Sequence, residues 1–335
     1  MKYRLKRLAD QVIVITGASS GIGLATAREA ARQGARLVLA CRDKERLDAV
    51  AEELRAAGGQ ATAVQADVGR REDHERLLQT ALDTYGAVDT WINNAGVSIY
   101  GRIEDVPLED QRKLFDTNYW GVVYGSIVSV AHLRKHGGAL INVGSEVSDR
   151  AVPLQGAYSA SKHAVKGFTD ALRMELETEG VPVSVTLVKP ASIATRFTAN
   201  ARNYMDVEPR LPPPVYAPEV AARAILYAAE HPRRDIYVGG AAKAIGHFGQ
   251  RMPRLADRMA NWLVKHQRTG IPARERHDGL ETPGDGEAPV SQGRVHRHSA
   301  YTHMATRGRG PLLAAACAVL LVGAALGAAH AARRP

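Results

Sequence analysis

Val12-Ile13-Val14-Ile15-Thr16-Gly17-Ala18-Ser19-Ser20-Gly21-Ile22-Gly23 reads as a buried strand that enters a glycine turn and opens a helix. A run of β-branched residues suits a strand covered on both faces. The glycines behind it permit a tight turn and close backbone approach, and the amides of the helix start can face phosphate oxygens. The spacing differs from GxGxxG and from a P-loop, which needs GxxxxGK followed by Ser or Thr. Basic residues from Lys2 to Arg7 precede the strand, as in a signal peptide, but the apolar run is short and no cleavage segment follows.

Outward from this stretch, short apolar runs alternate with amphipathic helical patterns. Strands are expected at Val12–Ile15, Arg36–Leu39, Ala61–Gln65, Thr90–Ile92, Ala139–Val143, Ser184–Val188 and Ile236–Val238. Helices are expected at Gly23–Arg32, Lys44–Ala56, Glu72–Tyr85, Asp110–His132, Ser159–Glu179 and Glu219–Glu230. That alternation predicts an α/β fold, a doubly wound Rossmann-type parallel sheet with helices on both faces. Its ligand crevice would lie at the carboxyl ends of the strands.

The 335 residues support one catalytic domain over residues 8–265. Residues 271–310 are rich in glycine, charge and histidine, and are expected to be a flexible linker. Leu312–Ala329 holds only Ala, Leu, Val, Gly and Cys. As a helix it would span about 27 Å, near the lower length for a bilayer crossing. Its eight alanines also suit an interfacial or soluble packing helix. The expectation is a membrane-associated protein with a cytoplasmic catalytic domain, and a soluble cytoplasmic protein is the alternative.

Cys41 and Cys317 lie far apart with no ligand cluster beside them, so neither a disulfide framework nor a metal site is expected. The histidines around Val295-His296-Arg297-His298 and His303 read as a solvated tail. The formal charge of +9 lacks a basic helix or an aromatic-interleaved repeat. Dinucleotide phosphates or an anionic membrane account for it without nucleic acid.

Candidate cofactor residues gather at predicted strand ends. Gly17, Ser19, Ser20, Gly21, Ile22 and Gly23 form the turn after the first strand. Arg42 follows the second, where an acidic residue commonly grips an unmodified ribose. A guanidinium there can fork onto a 2′-phosphate, which favours NADP(H) and leaves NAD(H) open. Asp43 could cap the next helix, pair with Lys44 or Arg46, or contact ribose. Asp67-Val68 and Asn93-Asn94-Ala95-Gly96 follow the third and fourth strands.

Tyr158 and Lys162 are i and i+4 on one helix and can share a face. An ammonium favours the phenolate of a nearby tyrosine, while the Ser145 hydroxyl can orient a substrate oxygen. Asn118 can bridge backbone groups or hold a water behind Lys162. Glu146, Val147, Val152 and the Ala199–Pro214 stretch, with Tyr204, Met205 and Val207 as apolar anchors, are candidates for the substrate pocket.

On the Thr16–Gly23 turn, Asp67-Val68, Asn93–Gly96, Asn118, Ser145, Tyr158-x-x-x-Lys162 and Lys189-Pro190-Ala191-Ser192-Ile193-Ala194-Thr195, the chain resembles the short-chain dehydrogenase/reductase family from about residue 10 to 240. The resemblance implies hydride transfer between a nicotinamide and a carbonyl or secondary alcohol, with Tyr158 as acid/base. Lys162 would position ribose and lower the tyrosine pKa, Ser145 would bind the substrate oxygen, and Asn118 would support a water relay. It also implies that Asn94 shapes the nicotinamide side, that Pro190, Ile193 and Thr195 belong to the cofactor site, and that subunits pair as a homodimer or homotetramer. Ala191 stands where glycine is common. The added tail points toward a lipophilic substrate. A cofactor-binding regulatory or scaffold protein is the competing reading.

Overall fold

Seven apolar runs line up as one sheet in a computed structural model that describes residues 4–275, 277–284 and 294–306. The strands are β1 (Val12–Thr16), β2 (Arg36–Cys41), β3 (Gln60–Gln65), β4 (Thr90–Asn93), β5 (Gly138–Val143), β6 (Val183–Pro190) and β7 (Asp235–Val238). All pair in parallel, in the order β3-β2-β1-β4-β5-β6-β7. The order reverses between β1 and β4, which opens a crevice beyond their carboxyl ends.

Alternation along the strands divides the core into two layers. Ile13, Ile15, Leu37 and Leu39 face one layer with Ala27, Ala30, Leu47 and Ala224. These come from α1 (Gly21–Arg32), α2 (Lys44–Ala56) and α7 (Pro218–Glu230). Val12, Val14, Val38 and Trp91 face the other with Leu77, Val128, Leu133 and Leu176. Those helices are α3 (Arg71–Tyr85), α5 (Gly121–His136) and α6 (Gly156–Thr178).

The continuous helix expected over Asp110–His132 is interrupted. α4 (Leu108–Phe115) passes through a π-helical turn at Asp116–Trp120 before α5 begins, and the Gly121 amide donates to the carbonyl of Asp116, five residues back. Such turns accommodate one extra residue and often mark functional sites. Here the wide turn directs Asn118 fully inside, onto the Val97 backbone.

After β7 come α8 (Gly240–Arg251), α9 (Pro253–Arg258), α10 (Ala260–Gln267) and the short α11 (Ala300–Ala305). The described residues within 271–310 depart from a linker: they make specific contacts. Arg268–Pro272 pairs antiparallel with Val207–Pro209, and Val295–His296 pairs in parallel with Val215–Tyr216. Leu280 and Thr302 are buried, and Thr302 accepts a hydrogen bond from the Gly239 amide. Among the described residues no helix is long and apolar enough to cross a membrane, and Leu312–Ala329 lies outside them. No group of three or more potential metal ligands occurs among the described residues either.

A polar knot stitches β4 to β5 and α5. Asn93 accepts from the Trp91 indole at 2.9 Å and donates to Asn142 at 2.9 Å, with Ser126 at 3.3 Å. Gly125 packs directly on it: a Cβ there would lie 2.1 Å from Asn93 Oδ1 and 2.9 Å from the indole nitrogen. Helix propensity would favour alanine by up to about 1 kcal/mol, but the buried amide has nowhere to retreat. Gly125→Ala is therefore expected to destabilise the fold by about 1–3 kcal/mol net, read as a lower urea midpoint with an unchanged m-value.

Candidate active site

At the switch point the β1–α1 turn is pressed against the end of β4. Gly17 and Gly21 hold positive φ, and a Cβ on Gly23 would sit 2.1 Å from the Gly17 carbonyl oxygen. The Asn94 side chain donates to the carbonyls of Thr16 (2.9 Å) and Gly17 (3.2 Å), while Thr16 Oγ1 accepts from the amides of Asn94 and Ala95. Ser20 is the N-cap of α1 but makes no side-chain capping bond. The turn thus brings the helix start up to a cleft also lined by Ser19, Ser20, Ile22, Arg42, Asp67, Val68, Gly96 and Thr195. Amides at a helix start beside an arginine suit phosphates, so this donor set fits a nicotinamide dinucleotide.

The acidic residues at that cleft also make local contacts. Asp43 caps α2 by accepting from the Arg46 amide at 3.0 Å and also pairs with the Arg46 guanidinium at 3.6 Å, so two of its alternatives hold together. Asp67 Oδ1 accepts from the Gly69 amide at 2.9 Å, and the Asp67 amide donates to Asp73. Arg42 reaches across to a segment that sequence reasoning left out of the site, donating to the carbonyls of Gly279, Leu280, Glu281 and Thr282. Gly279, Pro283 and Gly284 line the same cleft. Nothing local in the sequence signals a contact between positions more than 230 residues apart.

A second, larger cavity of about 750 Å³ adjoins it, and Ser145, Tyr158, Lys162, Asn94, Gly96, Pro190, Ile193 and Thr195 all border it. Ser145 sits just past β5 as the N-cap of the 3-10 turn Glu146–Ser148, accepting from the Val147 amide and forming a capping box with Ser148. Tyr158 and Lys162 enter from the first turns of α6. Lys162 Nζ donates to the Val143 carbonyl at 3.0 Å and lies 5.8 Å from the centre of the Tyr158 ring. The Phe197 ring packs edge-on against Tyr158 at 5.2 Å.

Asn118 does not border the cavity and stands behind it. Its amide donates to Ser161 Oγ (3.1 Å), which in turn donates to the Tyr158 carbonyl (2.8 Å). A Cβ on Gly96 would lie 3.4 Å from Asn118 Oδ1 and 3.7 Å from Lys162 Nζ, so the two side chains converge on that glycine.

Burial governs the electrostatics. It pushes the Tyr158 phenol up, against a hydrogen bond from Ser145 that lowers it, and the nearby Glu146 raises it further. It brings Lys162 down to about 8 and lifts Glu146 to about 7. The Glu146 carboxyl lines the cavity, and desolvation alone accounts for its shift.

The Ala199–Pro214 expectation divides. Leu211 and Pro212–Pro214 line the cavity, whereas Tyr204 donates its hydroxyl to Asp110, and Met205 packs with Tyr100 and Ala201. Phe248 of α8, Trp262 and Leu263 of α10, and Met259 between α9 and α10 also line the cavity, and sequence reasoning missed them. These helices are amphipathic like any surface helix, and only their packing assigns them to the pocket.

The family model for short chain dehydrogenases matches residues 11–206. The chain is 46% identical over 328 residues to an uncharacterized oxidoreductase, YxnA, of Bacillus subtilis, covering 96% of this chain and 91% of that protein. A short chain dehydrogenase/reductase from Burkholderia phymatum in complex with NAD superposes with a TM-score of 0.66 at 25% identity, covering 82% of this chain and 100% of that one. An alcohol dehydrogenase from the archaeon Thermococcus sibiricus complexed with 5-hydroxy-NADP gives a TM-score of 0.60 at 27% identity, over 68% of this chain and 95% of that one. With the glycine turn, the strand order and the serine, tyrosine and lysine around one cavity, these matches establish that the chain belongs to the short-chain dehydrogenase/reductase family of NAD(P)-dependent oxidoreductases.

Proposed function

We propose that this enzyme interconverts a lipophilic ketone or aldehyde and the corresponding alcohol, with NADP(H) preferred and Tyr158 as the acid/base. The convergence of Ser145, Tyr158 and Lys162 on one largely apolar cavity carries this reading. The bound nicotinamide supplies or accepts the hydride. Ser145 and Tyr158 hold the substrate oxygen between their hydroxyls, and Tyr158 gives it a proton during reduction or takes one during oxidation. A phenol pushed up by burial is a competent donor and a reluctant base, so the Lys162 ammonium is needed to stabilise the phenolate. Asn118 orients the Val97 backbone and α6 behind that pair.

The catalytic unit in this reading spans residues 8–265, and attachment to a membrane rests on Leu312–Ala329 alone. Self-association through α5 and α6 is supported by the exposed Ile127 and Met174, with Trp120 exposed on the π-helical turn just before α5.

Tyr158→Phe in the full chain is expected to lower kcat for NADPH-dependent reduction of apolar ketones by about 10²–10⁴-fold. The NADPH dissociation constant should move by less than about threefold. Equal activity in the variant would remove the tyrosine from the chemistry, and a folded wild type that binds NADPH but reduces nothing in a broad ketone screen would favour a scaffold. Side-by-side fluorescence titration should show NADPH favoured over NADH by at least about tenfold, or about 1.4 kcal/mol. Equal affinities would sink the Arg42 assignment alone.

Glu146 gives a test independent of turnover. Its folded pKa of about 7 exceeds the ordinary 4.5, so between those values the folded chain keeps a proton that the unfolded chain has released. Stability falls as pH rises through that window. Glu146→Gln should therefore be more stable than wild type at pH 8 by about 1–3 kcal/mol, with the difference fading near pH 4.5, as followed by thermal melts across pH.

A further inference from the structure

The Arg42 guanidinium, the group best suited to a 2′-phosphate, is already engaged in the folded chain. Nη1 donates to the carbonyls of Leu280 (3.2 Å) and Glu281 (3.1 Å), and Nη2 to those of Gly279 (2.5 Å) and Thr282 (3.3 Å). An arginine has five N–H donors, and these bonds use all four on its two terminal nitrogens. A bidentate phosphate contact needs two.

The segment that occupies Arg42 is anchored independently at several points. Leu280 is buried in a cluster with Ile99, Leu114 and Tyr158. Asp278 pairs with Arg202 at 2.7 Å, Glu281 with Lys113 at 2.5 Å, and the Gly279 amide donates to the Asn200 carbonyl at 2.7 Å. Gly279, Pro283 and Gly284 form a wall of the cleft whose other side is the Gly17–Gly21 turn.

We propose that residues 277–284 are a strap that competes with the 2′-phosphate of the cofactor for Arg42, and that this competition sets the preference between NADPH and NADH. The inference rests on the NADP(H) reading above and deepens it. A phosphate makes charge-assisted bonds stronger than those of neutral carbonyls, so NADPH takes the guanidinium and releases the strap. NADH carries no group that does so and leaves the strap docked. Strap anchoring therefore opposes NADPH and is indifferent to NADH.

The experiment is hydrogen exchange of the peptide covering residues 277–284 in the full chain, alone and with saturating NADPH or NADH. It is run with fluorescence titrations of wild type, Leu280→Ala and Asp278→Ala. NADPH should speed strap exchange by roughly fivefold or more while NADH leaves it unchanged. Both variants should speed exchange without cofactor and tighten NADPH by roughly threefold or more, with NADH within about twofold. Slower strap exchange with NADPH, or variants that weaken both cofactors together, would overturn the competition and make the strap a fixed wall. Binding of both cofactors with an unmoved strap overturns the competition and spares the oxidoreductase reading. Binding of neither overturns both.

Discussion

The approach of the Gly17 carbonyl to Gly23 is the constraint on which the site depends. No other residue fits at position 23, because its Cβ would lie 2.1 Å from that oxygen and 2.7 Å from the Asn94 amide nitrogen. The contact presses the start of α1 onto the end of β1, and Asn94 ties the same turn to the end of β4. Three elements thus meet within hydrogen-bonding distance at the point where the strand order reverses. Both cavities open from that point, and Ile22, Asn94, Gly96 and Thr195 border each of them.

Burial shifts each titrating group of the proposed acid–base centre toward its neutral form. Tyr158 is pushed up, Lys162 brought down and Glu146 lifted, and desolvation is the leading cause for each. With Lys162 brought down only to about 8, its ammonium persists at neutral pH, and in so desolvated a site it and any further charge that enters act strongly. A cationic nicotinamide beside Lys162 and Tyr158 would favour the phenolate, and a neutral reduced one would favour the phenol. Those are the protonation states that oxidation and reduction respectively require. Glu146, which raises the tyrosine further, tilts this balance toward proton donation.

Most of the fold was legible because alternating apolar runs have local causes. β1 to β7 each contain the expected run, usually longer by a residue or two, since pairing extends wherever a neighbour supplies partners. The glycine turn and Tyr158-x-x-x-Lys162 were equally legible, because fixed spacing on a turn or helix fixes relative position. The π-helical turn at Asp116–Trp120 was not: a 3.6-residue period read over many residues averages out one extra residue. Residues 277–284 were read by composition as linker, although the burial of Leu280 and the carbonyl contacts of Arg42 depend on residues far away in sequence. Composition reports how much apolar area a segment carries, and a single leucine in the right cavity escapes that measure.

Arg202 ties residues 277–284 to the body of the fold. It pairs with Asp110 of α4 at 2.8 Å and with Asp278 of the strap at 2.7 Å, while Tyr204, two residues on, hydrogen-bonds the same Asp110. Asp110 is buried, and the arginine and tyrosine contacts hold its carboxyl below the usual range in spite of desolvation. A buried carboxylate kept ionised this way cannot lose either partner cheaply. Movement of the strap is resisted by its own ion pairs, Asp278 with Arg202 and Glu281 with Lys113 of α4, and the chain after Arg202 leads on to Leu211 and Pro212–Pro214 at the larger cavity. Arg202 thus joins the segment beside the smaller cleft and α4 through one guanidinium.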